Sequence, residues 1–189
     1  MKYTHITDSR KNKYRITQPG DTIFFFHNIS LDLDIVIGHS LARAFIYGLY
    51  TGENSEKFKL RTCQHHTAPG SYSELLVKGA LDHNSSLHYS GSISIEKNCN
   101  GSHAYQKNQI LLLSPNARVT TQPNLEIRSP DVFCTHGSTT GRINTDQLHY
   151  MHCKGLSDLG ARKLFIQGFI SDLVSKIKVQ HPKFIFKKY

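Results

Sequence analysis

The chain has 189 residues, 38% hydrophobic and 20% charged, with a formal net charge of +9 and 12 histidines besides. That length predicts one main domain able to bury a core without disulfide staples, and apolar runs spread along the whole chain argue against disorder. The charge suggests nucleic acid, but the basic residues cluster only at the ends (Lys11, Lys13, Arg15; Lys183, Lys187, Lys188), and neither a recognition-helix pattern nor an aromatic and basic single-strand platform is present.

The opening "MKYTHITDSRKNKYRI" has no apolar core to serve as a signal peptide. Cys63, Cys99, Cys134 and Cys153 are spaced too irregularly for a disulfide framework, which points to a reducing compartment. From about residue 22 the chain becomes a succession of short strand-like runs, among them "TIFFFHNI", "LDLDIVIG", "ELLVKGAL", "SLHYSGSISI", "QILLLS", "ARVTTQ" and "NLEIRS". The longest apolar runs, "TIFFF" and "IVIGHSLARAFIYGLY", are too short or too interrupted to span a bilayer. Turn signals such as Pro69-Gly70, Asn98 to Gly101 and Ser114-Pro115-Asn116 separate the runs, predicting an all-β body that extends to residue 143. "SLHYSGSISI" alternates with period two while "ILLLS" is apolar throughout, a mixture that suits either a sandwich or a β-solenoid.

After Gly141 the texture changes to helix, giving a second region over residues 144–189. Asn144 with Gln147 forms a capping box for "TDQLHYMHCK", and Gly155 is placed to close that helix. Ser157 caps a second helix whose apolar stripe runs through Ala161, Phe165, Phe169, Leu173 and Ile177, broadened by Leu164, Ile166, Ile170 and Val174, with Pro182 beyond its end. The stripe either packs on the β body or docks a partner.

Four groupings of residues bear on chemistry. Cys134 and His136 are two apart, so on a strand both project from one face and could address one metal; the plain alternative is a buried cysteine beside a surface histidine. His149, His152 and Cys153 have ligand-like helical spacing but no matching second half, and read more simply as an exposed helix face. His65 and His66 point to opposite faces of any strand, so only one of them can join Cys63. Glu74 and Asp82 lack an accompanying nucleophile or phosphate-cradling loop, which argues against autonomous catalysis.

The run "QILLLSPNARVTTQPNLEIRSPDVFCTHGSTTGRINTDQLHYMHCKGLSDLGARKLFIQGF", together with "HHTAPGSYSELLVKGALDHNSSLHYSGSISIEKNCNGSHAYQKNQ" before it, resembles the core of the SufB and SufD family, scaffold proteins of SUF iron-sulfur cluster assembly. The likeness covers about residues 60 to 178. It implies a mainly β protein, a right-handed parallel β-helix over residues 1–143 followed by a short helical region. SufB-like chains carry a cysteine and a glutamate where Ile127 and Gly137 stand here, so "CTHGSTTG" is similar to the SufD pattern. The resemblance then implies a non-enzymatic subunit. Its Cys134 and His136 would help assemble a transient iron-sulfur cluster at the junction with a SufB-like partner, and its helices, through Leu148, Tyr150, Phe165 and Phe169, would dock a SufC-like ATPase.

Family members usually carry a long region ahead of this core, and residues 1 to 60 match loosely. The chain is therefore expected to be a fragment or a shortened scaffold whose open solenoid end favours a partner or a homodimer. Bacterial cytoplasm is the expected location, with a plastid as the alternative, and neither nucleic acid nor membrane is expected as a partner. Rival readings are a small zinc-dependent hydrolase using His65, Cys134 and His136, and a degenerate SUF interaction module without cluster chemistry.

Overall fold

The computed structural model describes residues 1–10 and 12–186; Lys11, Lys187 and Lys188 of the two basic clusters lie outside the described residues. Eleven strands precede two helices: β1 (Lys2–His5), β2 (Lys13–Ile16), β3 (Gly20–His27), β4 (Leu31–Ile37), β5 (Ala42–Gly52), β6 (Lys57–His66), β7 (Tyr72–Leu81), β8 (Ser86–Ile95), β9 (Ser102–Leu112), β10 (Arg118–Ile127), β11 (Val132–Arg142), α1 (Thr145–Cys153) and α2 (Asp158–Gln180). Odd-numbered strands form one six-stranded sheet in the order β1-β3-β5-β7-β9-β11, and even-numbered strands form a second in the order β10-β8-β6-β4-β2. Every pairing is parallel. Each coil thus lays one strand on each sheet before climbing to the next, which makes the body a parallel β-helix and excludes the sandwich.

Alternation along the strands fills the space between the sheets. "SLHYSGSISI" turns Leu87, Tyr89, Ile93 and Ile95 inward, and the core gathers Phe24, Phe26, Leu33, Ile35, Ile46, Leu60 and Val77 in stacked rows. Corners need left-handed backbone, and Asn28 (φ 48°), Asn54 (φ 53°) and Gly70 (φ 63°) supply it at three of them. Asn28 adds a tie to the next coil, its carboxamide accepting from Thr51 N at 2.7 Å and donating to Thr51 O at 3.1 Å.

Three boundaries differ from those read in the sequence. β1 and β2 lie ahead of residue 22, where the predicted strand-like runs begin, because strands of four residues carry too little alternation to register. "ARVTTQ" and "NLEIRS" are one strand, β10, with Pro123 inside it; β10 is the edge of its sheet, where a missing backbone donor is tolerated. The first four residues of "QILLLS" are the end of the longer β9, apolar on both sides because Ile110 faces the core and Leu111 lines a groove with Phe165 and Phe169 of α2, and Leu113 and Ser114 lie beyond the strand.

α2 covers the outer face of the first sheet. Ile170, Leu173 and Ile177 are buried against Ile23, Phe25, Phe45, Tyr47, Leu49 and Leu76, with Ile166, Phe169 and Val174 alongside. Lys78 anchors the contact: it is buried, donates to Phe169 O at 2.8 Å, pairs with Asp172 at 2.9 Å and sits over the Phe169 ring. Both predicted caps are present, Asn144 Oδ1 accepting from Asp146 N at 2.8 Å and Ser157 Oγ accepting from Gly160 N at 3.2 Å. Gly155 takes φ 85° after α1. No helix among the described residues is long and apolar enough to cross a membrane.

Candidate functional site

Parallel register makes rows of equivalent positions, and three inward rows of the first sheet end on β11. Thr22, Ala44, Ser73 and Ala104 lead to Cys134; Phe24, Ile46, Leu75 and Gln106 lead to His136; Phe26, Gly48, Val77 and Asn108 lead to Ser138. Cys134 and His136 therefore do share a face, and that face is the inner one of the last strand. Because no coil follows among the described residues, the inner face is uncovered there: His136 is exposed and Cys134 half-buried. Opposite it, β10 turns Val119, Thr121, Pro123, Leu125 and Ile127 inward along rows that continue Leu87, Tyr89, Gly91, Ile93 and Ile95. Thr121 and Ser138 hydroxyls meet across the end at 3.1 Å.

Cys134 packs on the small cluster of Ile93, Ile95, Cys99 and Ala104, beside Leu125 and Val132, and this burial pushes its thiol above the ordinary range. Gly137 faces the other way, in a groove of about 470 Å³ between the outer face of the first sheet and α2. In that groove Glu74 pairs with Lys176 at 2.9 Å, and Lys107 lies beside Gly137 in the register. A methyl group on Gly137 would meet nothing within 4 Å. Outside the groove, Phe133 is exposed and stacks on His103, with ring centroids 4.6 Å apart.

The remaining candidates are dispersed. His65 lies on the outer face of the second sheet, in the same row of β6 as Cys63, and bonds Glu96 at 3.1 Å. His66 turns inward, fully buried, with Nδ1 and Nε2 each 2.7 Å from a serine hydroxyl, Ser71 and Ser73. Burial, with His65 beside it, pushes the His66 pKa down to about 4. The trio His65, Cys134 and His136 is thus split between two faces of two sheets. On α1, His149 Nε2 and Cys153 Sγ are 3.7 Å apart, whereas His152 turns to Asp158 at 3.7 Å. Glu74 and Asp82 do not meet, since Asp82 occupies the turn after β7 and caps His83. Among the described residues no group of three or more His, Cys, Asp or Glu side chains is arranged to hold a metal ion.

Leu148 is half-buried and Tyr150 is 60% exposed beneath the Lys154 ammonium, while Phe165 lines a groove with Gln147, Tyr150 and Met151. Phe169 is already engaged by Lys78. Sequence reasoning missed Gln106 and Asn108, the polar residues directly below His136 and Ser138. Their alternation in "YQKNQ" reads equally well as a solvent face, and only the phase of β9 turns it inward.

The described residues thus form a parallel solenoid that leaves a thiol and an imidazole on the uncovered inner face of its last strand. Residues 26–169 match the family described as "SUF system FeS cluster assembly, SufBD core domain". The chain belongs to the SufBD family of iron-sulfur cluster assembly proteins.

Its relatives fit that placement. A SufBD family iron-sulfur cluster assembly protein of Mycobacterium tuberculosis is 33% identical over 144 residues, 72% of this chain and 36% of the relative. The iron-sulfur cluster assembly protein SufD of Bacillus subtilis is 29% identical over 132 residues, 70% of this chain and 30% of its own length. SufD of Escherichia coli is 29% identical over 118 residues, 62% and 28% respectively. The chain thus spans about a third of the length of these relatives, and the family match begins closer to the amino terminus than the motifs alone suggested.

Proposed function

We propose that the chain works as a SufD-like scaffold subunit of a SUF complex, joining a SufB-like protein through the uncovered end of the solenoid and a SufC-like ATPase through α1 and α2. The observation that carries this reading is the position of Cys134 and His136, two residues apart on the inward face of the last strand, where a docking chain would meet them. A thiolate and an imidazole suit iron in a cluster. Two ligands do not complete a site, so the docking partner supplies the rest and the nascent cluster is cargo of the junction. The raised Cys134 thiol stays protonated at neutral pH until iron displaces the proton.

ATP hydrolysis belongs to the SufC-like partner in this scheme. Tyr150, Leu148 and Phe165 offer the accessible apolar contacts of the helical region, whereas Phe169 steadies α2 on the sheet. The cytoplasm, or a plastid, is the corresponding compartment, and a homodimer through the same end is the fallback assembly.

The test is anaerobic co-expression with SufB-like and SufC-like proteins, reading subunit ratio, iron and sulfide for the wild type and His136→Ala. Co-elution of all three, with iron lost from the variant and the complex intact, is the expected result. Iron unchanged in the variant would leave an interaction module without cluster chemistry, and absence of any complex would overturn the scaffold reading itself.

A further inference from the structure

The interior of the solenoid changes character one coil below its open end. The rows through Leu75 and Val77 are apolar up to β7 and then present Gln106 and Asn108 on β9. Thr62 and Gln64 of β6 and the Tyr89 hydroxyl of β8 face the same layer from the second sheet. These groups are as buried as the hydrocarbon around them, with relative exposures of 1% for Thr62, 0% for Gln64, 4% for Gln106 and 1% for Asn108. The layer is partly knitted: Thr62 Oγ1 and Tyr89 Oη are 3.1 Å apart, and Gln64 Nε2 donates to Gln106 Oε1 at 3.4 Å. Gly91 makes room for it, since a methyl group there would overlap both the Tyr89 hydroxyl and the Gln106 carboxamide.

Three atoms stay unpaired by protein: Gln64 Oε1 and both carboxamide atoms of Asn108. A buried polar group left without a partner is costly, so these three atoms call for partners other than protein. We infer that this layer is a binding site for ordered water, held by Asn108 and Gln64 inside the solenoid lumen. The groups facing it are carboxamides and hydroxyls, neutral and able both to donate and to accept, which is the complement of water and not of an ion or an apolar ligand. Access exists at its rim, because Gln106 and His136 both line the groove open to solvent beside α2. The coil that carries Cys134 and His136 therefore rests on a hydrated floor, a property of the chain alone that needs no partner and no cluster.

Magnetic relaxation dispersion of water oxygen counts internal waters with long residence times and tests this directly, alongside a high-resolution structure of the wild type. The expected results are water density within hydrogen-bonding distance of Asn108, and a dispersion amplitude that falls in Asn108→Leu but persists in Asn108→Ser, whose shorter side chain leaves room for water. Equal amplitudes in wild type and Asn108→Leu, or a structure in which Asn108 and Gln64 pair directly with protein atoms around no density, would overturn it. Should the leucine variant fail to fold, the wild-type density decides alone.

Discussion

At the scale of single residues, the most consequential group outside the candidate site is His66. Ser71 Oγ donates to Ala68 O at 2.8 Å, so His66 Nδ1–H is the donor to Ser71 and Nε2 accepts from Ser73. That pattern needs the neutral ring, and burial holds the folded pKa down at about 4 while the unfolded chain titrates near the ordinary 6.5. Between those values the unfolded state binds the extra proton, so the stability due to neutral His66 is complete above about pH 6.5 and is lost as pH falls toward 4, by roughly 3 kcal/mol. Denaturant titrations of the wild type and His66→Gln from pH 7 to pH 4 check this, the variant being less stable at pH 7 and flatter across the window. The four thiols provide a second prediction at this scale. Cys153 is exposed, Cys63 half-exposed, and Cys134 and Cys99 have thiols raised by burial, so maleimide labelling at pH 7.5 should proceed in the order Cys153, Cys63, Cys134, Cys99, as followed by mass spectrometry.

At the scale of elements, α2 shows what a sequence pattern does and does not specify. Its stripe is legible because a four-residue recurrence of apolar side chains has no other economical use, and Asn144 and Ser157 announce the caps. Which part of the stripe is buried depends on where the sheet lies beneath it: Leu173 and Ile177 are at 0% exposure whereas Leu164 is at 46%. Leu173→Ala should therefore cost about 2–5 kcal/mol and Leu159→Ala, at a position 79% exposed, less than about 0.5, measured as shifts in urea midpoint. From β3 onward the β character was legible but the coils were not, since parallel neighbours such as Arg43 and Tyr72 or Tyr72 and His103 lie about 30 residues apart and no local signal links them. It was the family likeness of the long run over about residues 60 to 178 that separated solenoid from sandwich. The same limit governs the site. That Cys134 and His136 share a face follows from their spacing, but that this face is the inner one of an end strand follows only from counting coils. Gln106 and Asn108 escaped notice because polar alternation has no sign until its phase is fixed.

At the scale of the whole molecule, a β-helix has two ends, and the end bearing Cys134 and His136 is left as two unpaired strand edges, β10 and β11, each ten or more residues long. Exposed edges of that length are templates for another chain unless blunted by charge, proline or a bulge. β10 has Pro123, Arg118 and Glu126, whereas β11 carries no charge between Val132 and Gly141. Association should therefore run through β11 and be sensitive to what its inner row presents to the arriving chain. Thr140 follows Ile110 in an inward row and is exposed on the last strand, so a lysine there would stay solvated in the isolated chain yet be buried, unpaired, by any strand added above it. Thr140→Lys should leave the urea midpoint of the isolated chain within about 0.5 kcal/mol of wild type, while weakening association with a SufB-like partner, or with a second copy, by tenfold or more in sedimentation velocity. Undiminished association in the variant would place the contact away from β11, and a partner bound elsewhere would leave Cys134 and His136 without the ligands that an iron-sulfur cluster still needs.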